Sequence, residues 1–241
     1  MSMGGFLDFL SRLPASVLWL PCTIMLYSGA CALFRACRKA PIVNPTLLTI
    51  AGVSLVLVTF GAPYKTYFES VAILQYLLGT AVVALALPLY RNINRLRHRC
   101  FRMTAALLAG SLTSVIVGVS IAALAHASVS TILSLAPKSA TAAVSMEISR
   151  VIGGVPAITA VLTVLTGITG AVGGPYVLNL AGIRAPEARG FALGVASHGI
   201  ATARAFTESD IAGSFAGLGM VLNACLTALI VPIVMRPLGF G

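Results

Sequence analysis

The chain has 241 residues, of which 58% are hydrophobic and 9% charged, and its mean hydropathy is +0.99. A soluble domain carries about 25% charged residues, so this composition excludes a soluble globular protein and indicates one dissolved in a lipid bilayer. The net charge of +10 does not indicate nucleic-acid binding, because the basic residues stand between apolar segments, where they orient membrane helices.

Eight apolar segments follow one another along the chain. About 20 apolar residues cross a bilayer as a helix, so the sequence predicts an all-α polytopic membrane helix bundle of seven to eight spans. We expect a single transmembrane domain over residues 1–241. The segments are 14–34, 44–62, 71–90, 103–125, 128–149, 154–180, 187–205 and 212–235.

The N-terminal part predicts a retained first span and no disulfide framework. Asp8 and Arg12 precede an apolar run that is too long for the core of a signal peptide. Asn44 before Pro45 predicts a helix cap. The five cysteines form no CxxC pair, so we expect reduced packing residues, with no metal site and no cofactor.

A weak internal repeat is visible in three alanine-rich stretches. They begin at Leu77, Leu135 and Leu193, with starts 58 residues apart, and a long apolar helix follows each. The spacing predicts a repeating helix pair, unless alanine-rich helices simply resemble one another.

The basic loops leave two topologies open. With eight full spans, loops 35–43 and 91–102 fall on one side of the membrane, as the rule for Lys and Arg requires. Arg184 and Arg189 then fall on the other side, against the rule. If segment 128–149 enters the membrane and returns, both arginines join the basic side.

Ionisable residues at membrane depth are expensive and predict function, and the first cluster of them lies within 135–157. Helix-breaking residues stand at both ends of it: Pro137, Gly153, Gly154 and Pro156. Lys138, Ser139 and Thr141 follow the first break. A half-helix starting there would offer free N–H groups to an anion such as a carboxylate. Alternatively, Lys138 extends to the membrane interface beside a simple kink.

The second cluster lies within 190–210, where Gly194 and Gly199 allow close packing or an unwound turn. Its candidate binding residues are Ser197, His198 and Thr202. His198 titrates near neutral pH and could carry a proton with an anion; alternatively, it is a packing residue. Arg204 could bind substrate, but its spacing favours an ion pair with Glu208.

One further polar residue, Asn223, lies in an otherwise apolar segment and predicts a hydrogen bond to a neighbouring helix or a position along a solute path. Motifs of soluble enzymes are absent: the sequence has no P-loop, no HExxH and no GxSxG. We therefore expect no enzymatic activity.

Both clusters resemble signature stretches of the LrgB/CidB family, namely PKSATAAVSMEISRVIGGVPAITA and ARGFALGVASHGIATARAF. The stretches NPTLLTIAGV, YKTYFESVAILQYLLGTAVVALALPLY and AGSFAGLGMVLNACLTALIVP extend the resemblance over nearly the whole chain. The family pattern has threonine and proline where this chain has Ala142 and Ala143. Val195 and Ala201 replace a common threonine and glycine. These departures put the helix break and the substrate preference in question.

The resemblance implies one of two functions. Bacterial members are described as holin-like or antiholin-like regulators of murein hydrolase export and autolysis. Others resemble a plastid glycolate/glycerate translocator or carriers of pyruvate. A small LrgA/CidA-like membrane partner is implied in either case, with homo- or hetero-oligomers. The bacterial inner membrane is the expected location, and the plastid inner envelope is the alternative.

The residues themselves favour transport. Carriers place substrate sites near the midplane between interrupted helices, and the segments 128–149 and 187–205 both carry breaks and polar groups. We expect a carrier of small 2-hydroxy or 2-oxo monocarboxylates such as glycolate, glycerate, pyruvate or lactate, with His198 coupling a proton. In this hypothesis Lys138, Ser139 and Thr141 face Ser197, His198 and Thr202. The regulator and a simple channel are the alternatives.

Overall fold

The structure is a computed structural model that describes residues 15–38, 40, 42–84, 86–91 and 100–235. Within these ranges the regular structure is helical throughout. Asp8, Arg12 and most of the basic loop 91–102 lie outside them. The helices are α1 (Ala15–Ala36), α2 (Pro45–Thr59), α3 (Tyr64–Ser70), α4 (Ala72–Ala84), α5 (Ala86–Arg91), α6 (Cys100–Leu124), α7 (Val129–Leu135), α8 (Ala142–Val151), α9 (Pro156–Leu180), α10 (Pro186–Glu208) and α11 (Asp210–Met235).

These helices form two compact units that divide after Ala84, and the single domain over 1–241 stays a prediction. In the first unit α1 packs against α2 and α3. The Oδ1 atom of Asn44 accepts from the amide of Leu47 at 3.1 Å, which confirms the predicted cap of α2. Trp19 packs edge-on against Tyr67, with ring centroids 5.9 Å apart.

In the described ranges, four helical stretches are long and apolar enough to cross a membrane: Leu18–Ala36, Cys100–Leu124, Pro156–Leu180 and Asp210–Met235. The all-helical membrane architecture is therefore confirmed, whereas seven to eight spans and the internal repeat are not. One reason is visible in α10, whose 23 residues are interrupted at Ser197 and His198 and whose two ends are joined by Arg189 and Glu208, so that it does not form one straight spanning helix.

The predicted segment 128–149 is not one span but two short helices. The seven residues of α7 and the ten of α8 extend about 10 Å and about 15 Å, whereas the hydrocarbon core is about 30 Å thick. After α8 the chain returns to α7, because the amide of Val155 donates to Ser134 Oγ at 2.8 Å. The segment therefore folds back on itself.

The start of α6 and the connection between α9 and α10 lie at the same end of the second unit. Arg102, near the start of α6, and Ile183, in that connection, line one cavity. Between Arg102 and Ile183 the chain passes through the long helices α6 and α9 and through the short helices α7 and α8. Both residues lie at one end if α6 and α9 each cross the membrane and the α7–α8 segment does not. Arg184 and Arg189 therefore lie at the same end as Arg102.

The closest packing in the second unit is between α10 and α11. A side chain at Gly190 would collide with the backbone of Ala212, and one at Gly194 with the backbone of Ala216. Such positions allow two helix backbones to approach within a distance that larger residues prevent. This contact fixes α10 along its first half.

The far end of α10 is tied back to its beginning by a salt bridge. The Nε of Arg189 donates to Glu208 Oε2 at 2.9 Å, and its Nη2 donates to Oε1 at 3.1 Å. A further bond joins Arg189 Nη1 to Asn179 Oδ1 at 2.8 Å. The Arg189 and Glu208 side chains are only 13% and 20% exposed, so solvent screens the pair weakly.

Replacing Arg189 with Met should lower the free energy of unfolding by about 1–3 kcal/mol, because the carboxylate of Glu208 loses both bonds. Thermal unfolding of the purified protein in detergent measures this. Arg150→Met is the matched control, since its bond to Glu147 lies between side chains that are each 65% exposed, and such pairs contribute about 0–1 kcal/mol. Equal unfolding temperatures for the two variants would contradict the role of Arg189.

Candidate functional site

Lys138 lies in the turn between α7 and α8, against the middle of α6. Its Nζ donates to the carbonyl oxygen of Ser114 at 2.8 Å. Gly118 provides the room, because a Cβ there would collide with the ammonium group. The ammonium group of Lys138 thus donates to a carbonyl oxygen that belongs to the backbone of α6. Half-way along a membrane helix, a charge without such a hydrogen bond would be energetically costly.

Ser139 is held by Asn223, the polar residue predicted to bond across helices. The Nδ2 of Asn223 donates to the carbonyl oxygen of Ser139 at 3.0 Å, and its Oδ1 accepts from Ser111 Oγ at 2.5 Å. Asn223 and Ser111 are fully buried. This amide therefore joins α6, the α7–α8 turn and α11 through groups that have no water to bond instead.

Thr141 occupies the N-cap position of α8, with extended backbone and no capping bond from its side chain. The half-helix therefore begins at Ala142, later than the predicted start directly after Pro137. Ser145 Oγ donates to the carbonyl oxygen of Pro137 at 2.7 Å and closes the turn. The first amides of α8 are available for a ligand acceptor, with Ala143 exposed.

The second break comes after α8. Gly153 has a φ of +85°, a conformation that favours glycine, and Pro156 then starts α9. A Cβ at Gly154 would lie 3.0 Å from the backbone nitrogen of Ser134. Thr159 Oγ1 donates to Ser149 Oγ at 2.7 Å across the break.

In α10 the backbone breaks at Ser197 and His198, directly before the predicted Gly199. Their φ/ψ values are −146°/24° and 44°/−138°. The second pair is rare for a residue with a side chain and costs about 1–3 kcal/mol. Thr202 Oγ1 donates to the carbonyl oxygen of His198 at 2.8 Å, so one carbonyl freed by the break is satisfied.

The buried His198 ring contacts α9. Its Nε2 lies 2.9 Å from the carbonyl oxygen of Thr163, and since a carbonyl can only accept, Nε2 carries the proton. A Cβ at Gly167 would lie 2.7 Å from Cε1 of the ring. Ser197 likewise packs on Gly170, where a Cβ would collide with its hydroxyl. Both residues of the break thus rest on glycines of α9.

The predicted residues form two groups, each joined to α11. Asn223 contacts the first group through Ser139, and Met220, one turn earlier, lies 4.0 Å from Thr202 Oγ1 in the second group. Whether Lys138 and His198 face each other directly stays a prediction.

The predicted ion pair of Arg204 and Glu208 is a separate case. The carboxylate of Glu208 bonds to Arg189, which is 19 positions away along the chain, and Arg204 Nη1 donates to Thr207 Oγ1 at 2.7 Å.

Several residues that hold the site were not predicted from the sequence: Ser111, Ser114, Gly118, Thr163, Gly167, Gly170 and Arg189. One signal could have identified four of them. Ser114 and Gly118, like Thr163 and Gly167, are small residues four positions apart in an apolar helix, which is typical of a helix surface that receives a close neighbour.

Replacing Asn223 with Ala should lower the free energy of unfolding by about 1–2 kcal/mol, because the Ser139 carbonyl and the Ser111 hydroxyl lose their partner. Thr227→Val is the matched control one turn along α11. Among the described residues the buried Thr227 hydroxyl has no hydrogen-bond partner, so its removal should leave stability unchanged or raise it. Thermal unfolding in detergent compares the two, and a larger loss from Thr227→Val would refute this account.

Gly167→Ala should destabilise the protein by about 1–3 kcal/mol, since the new methyl group overlaps the His198 ring inside a packed interior. Gly173→Ala, in the same helix, meets nothing within 4 Å and should be neutral or stabilising by about 0.5–1 kcal/mol through helix propensity. Unfolding temperatures of both variants measure the difference. Equal unfolding temperatures for the Gly167→Ala and Gly173→Ala variants would disprove the contact.

Comparisons with known proteins agree with these motifs. A profile of the LrgB-like family matches residues 23–236. The holin-like protein CidB of Staphylococcus epidermidis is 30% identical over 195 residues, covering 81% of this chain and 85% of that protein. CidB of Staphylococcus aureus is 30% identical over 196 residues, with the same coverages.

An uncharacterized protein of Bacillus subtilis, YwbG, is 32% identical over 213 residues, covering 88% of this chain and 94% of its own. No solved structure matches the chain. The match spans the membrane helices, the returning segment and the broken helix together. The chain belongs to the LrgB-like family.

Proposed function

We propose that this chain is a holin-like regulator of murein hydrolase export and autolysis in the bacterial inner membrane, acting with a small LrgA/CidA-like protein. The supporting observation is the similarity to holin-like CidB proteins over 81% of the chain. This function fits the names of the relatives better than the carrier function that the residues alone favoured.

A second function, carriage of small 2-hydroxy or 2-oxo monocarboxylates, is supported by the geometry. Two interrupted elements lie within one bundle: the α7–α8 segment and the break at Ser197 and His198. Interrupted helices at membrane depth are tolerated where they line a cavity or are buried in protein. Holin-like assembly alone requires neither the strained backbone of His198 nor a lysine in the middle of the membrane.

The proposed carrier site uses positive ends of half-helices. The amides at the start of α8, next to Lys138, would bind the carboxylate, and the half-helix after His198 would face the other end of the solute. Ser139, Thr141, Ser197 and Thr202 would supply hydroxyl groups for the 2-hydroxy or 2-oxo oxygen. His198 would accept or release the coupled proton.

One experiment separates the two functions. The purified chain is placed in liposomes, with and without an LrgA/CidA-like protein and a pH gradient, and uptake of labelled glycolate, glycerate, pyruvate and lactate is measured. A carrier should show saturable uptake. Lys138→Gln and His198→Gln should each reduce it about tenfold, the effect of losing one charge-assisted hydrogen bond.

The control variants are Lys65→Gln, whose side chain is 87% exposed, and His126→Gln, an exposed residue after α6; both should keep full uptake. In parallel, cells producing each variant are assayed for murein hydrolase activity and lysis rate. Folded protein with altered lysis but no uptake of any of the four acids would reject the carrier. Saturable uptake with unchanged lysis would reject the regulator.

A further inference from the structure

A cavity of about 840 Å³ lies between α6 and α10. Its outer end is lined by Arg102, near the start of α6, and Ile183, in the connection before α10, and its inner end by Ser114 and Ala196. Along α6 the lining therefore extends from the first turn to the middle of the helix. The volume is within the range of about 300–1,000 Å³ that small-molecule sites occupy.

The inner end of the cavity is lined by residues that adjoin both groups of the candidate site. Ser114 is the residue whose carbonyl oxygen binds the Lys138 ammonium group. Ala196 is the last helical residue before the break at Ser197 and His198. A solute at the inner end would thus be one residue away from the break in α10 and beside the residue that binds Lys138.

The cavity wall has the composition of a solute path. Its small residues Ala106, Ala109 and Ala192 leave the lumen open, while Phe191 and Phe215 provide apolar surface. Its polar side chains lie at the two ends: Arg102 and Glu187 near the mouth, and Thr113 and Ser114 at depth. Charged side chains at the mouth favour water over lipid there.

The mouth lies at the basic end of the second unit. Arg102 belongs to the arginine-rich stretch 91–102, and Arg184 and Arg189 lie at the same end. Short segments rich in Lys and Arg stay in the cytoplasm. The charge distribution therefore assigns the mouth to the cytoplasmic side.

We propose that this cavity is a water-filled vestibule, open to the cytoplasm, through which a small monocarboxylate with a short apolar tail reaches the region of Lys138. The identity of the solute rests on the proposed carrier function. Water access and sidedness do not, because they are argued from the charged residues at the mouth and the distribution of basic residues, and they are tested independently of transport.

Accessibility of single cysteines tests the vestibule. In a chain whose native cysteines are replaced, Ala109→Cys and Thr113→Cys should react with a membrane-impermeant methanethiosulfonate in inside-out vesicles and not in right-side-out vesicles. Leu108→Cys is the control at equal depth. It lies on the opposite face of α6, where Leu108 is 43% exposed in the absence of lipid, and it should stay unlabelled. The exposed native Cys100, restored alone, marks the cytoplasmic side.

Oxidation of the unaltered chain gives a second measurement that does not depend on the cysteine-free background. Met103 lines the cavity, and methionine oxidation follows exposure. Hydroxyl radicals generated in water should therefore oxidise Met103 in the unaltered chain more than about tenfold faster than in the Ala192→Phe variant, in which the new side chain fills the cavity. Equal rates before and after this substitution would overturn the vestibule, as would labelling of Ala109→Cys and Leu108→Cys to the same extent.

Uptake assays on the same variants distinguish this proposal from the carrier. If labelling is one-sided and no acid is taken up by the unaltered chain, the vestibule stands and its assigned solute is wrong. If uptake occurs and survives Ala192→Phe, the carrier stands and the cavity is not its entrance. Labelling from the side opposite to Cys100 overturns the cytoplasmic assignment.

Discussion

The close contact between α10 and α11 is the interaction on which the second unit depends. Gly190 and Gly194 bring the backbone of α10 against Ala212 and Ala216, and a Cβ at Gly219 would lie 2.7 Å from the carbonyl oxygen of Phe191. In a bilayer no hydrophobic effect drives helices together, so such close packing supplies much of the attraction. With its first half held in this way, α10 can break at His198 without losing its position.

The broken elements are stabilised by specific partners for several of the polar groups at the breaks. Lys138 and His198 are held in the same way. Each donates to a carbonyl oxygen of a long apolar helix, Ser114 in α6 or Thr163 in α9. Each also packs on the glycine four residues after that acceptor, Gly118 or Gly167. Since the His198 ring is buried, removing its acceptor would leave a buried donor unpaired. The long helices α6 and α9 thus act as supports for the returning segment and the broken helix.

Two lines of support lead to different functions. Similarity to CidB proteins favours regulation of murein hydrolase export, whereas the interrupted helices and the cavity between α6 and α10 favour passage of a small acid. The geometry adds an observation that the names of relatives do not contain: the Lys138 ammonium group binds the carbonyl oxygen of Ser114, and Ser114 lines the cavity. Membership of a family fixes the fold more firmly than it fixes the chemistry of the site.

The sequence by itself determined the membrane environment, the helical class, the family and the approximate positions of the breaks, because hydropathy, Pro and Gly act locally. It did not decide whether segment 128–149 crosses the membrane, because the segment has the length of one span but folds back on itself, as the bond between Val155 and Ser134 shows. Only the tertiary structure decided the partner of Glu208, the support of Lys138 by Ser114 and of His198 by Thr163, and the cavity between α6 and α10. These depend on which helices become neighbours, and contacts between residues 19 to 112 positions apart have no periodic signal in the sequence.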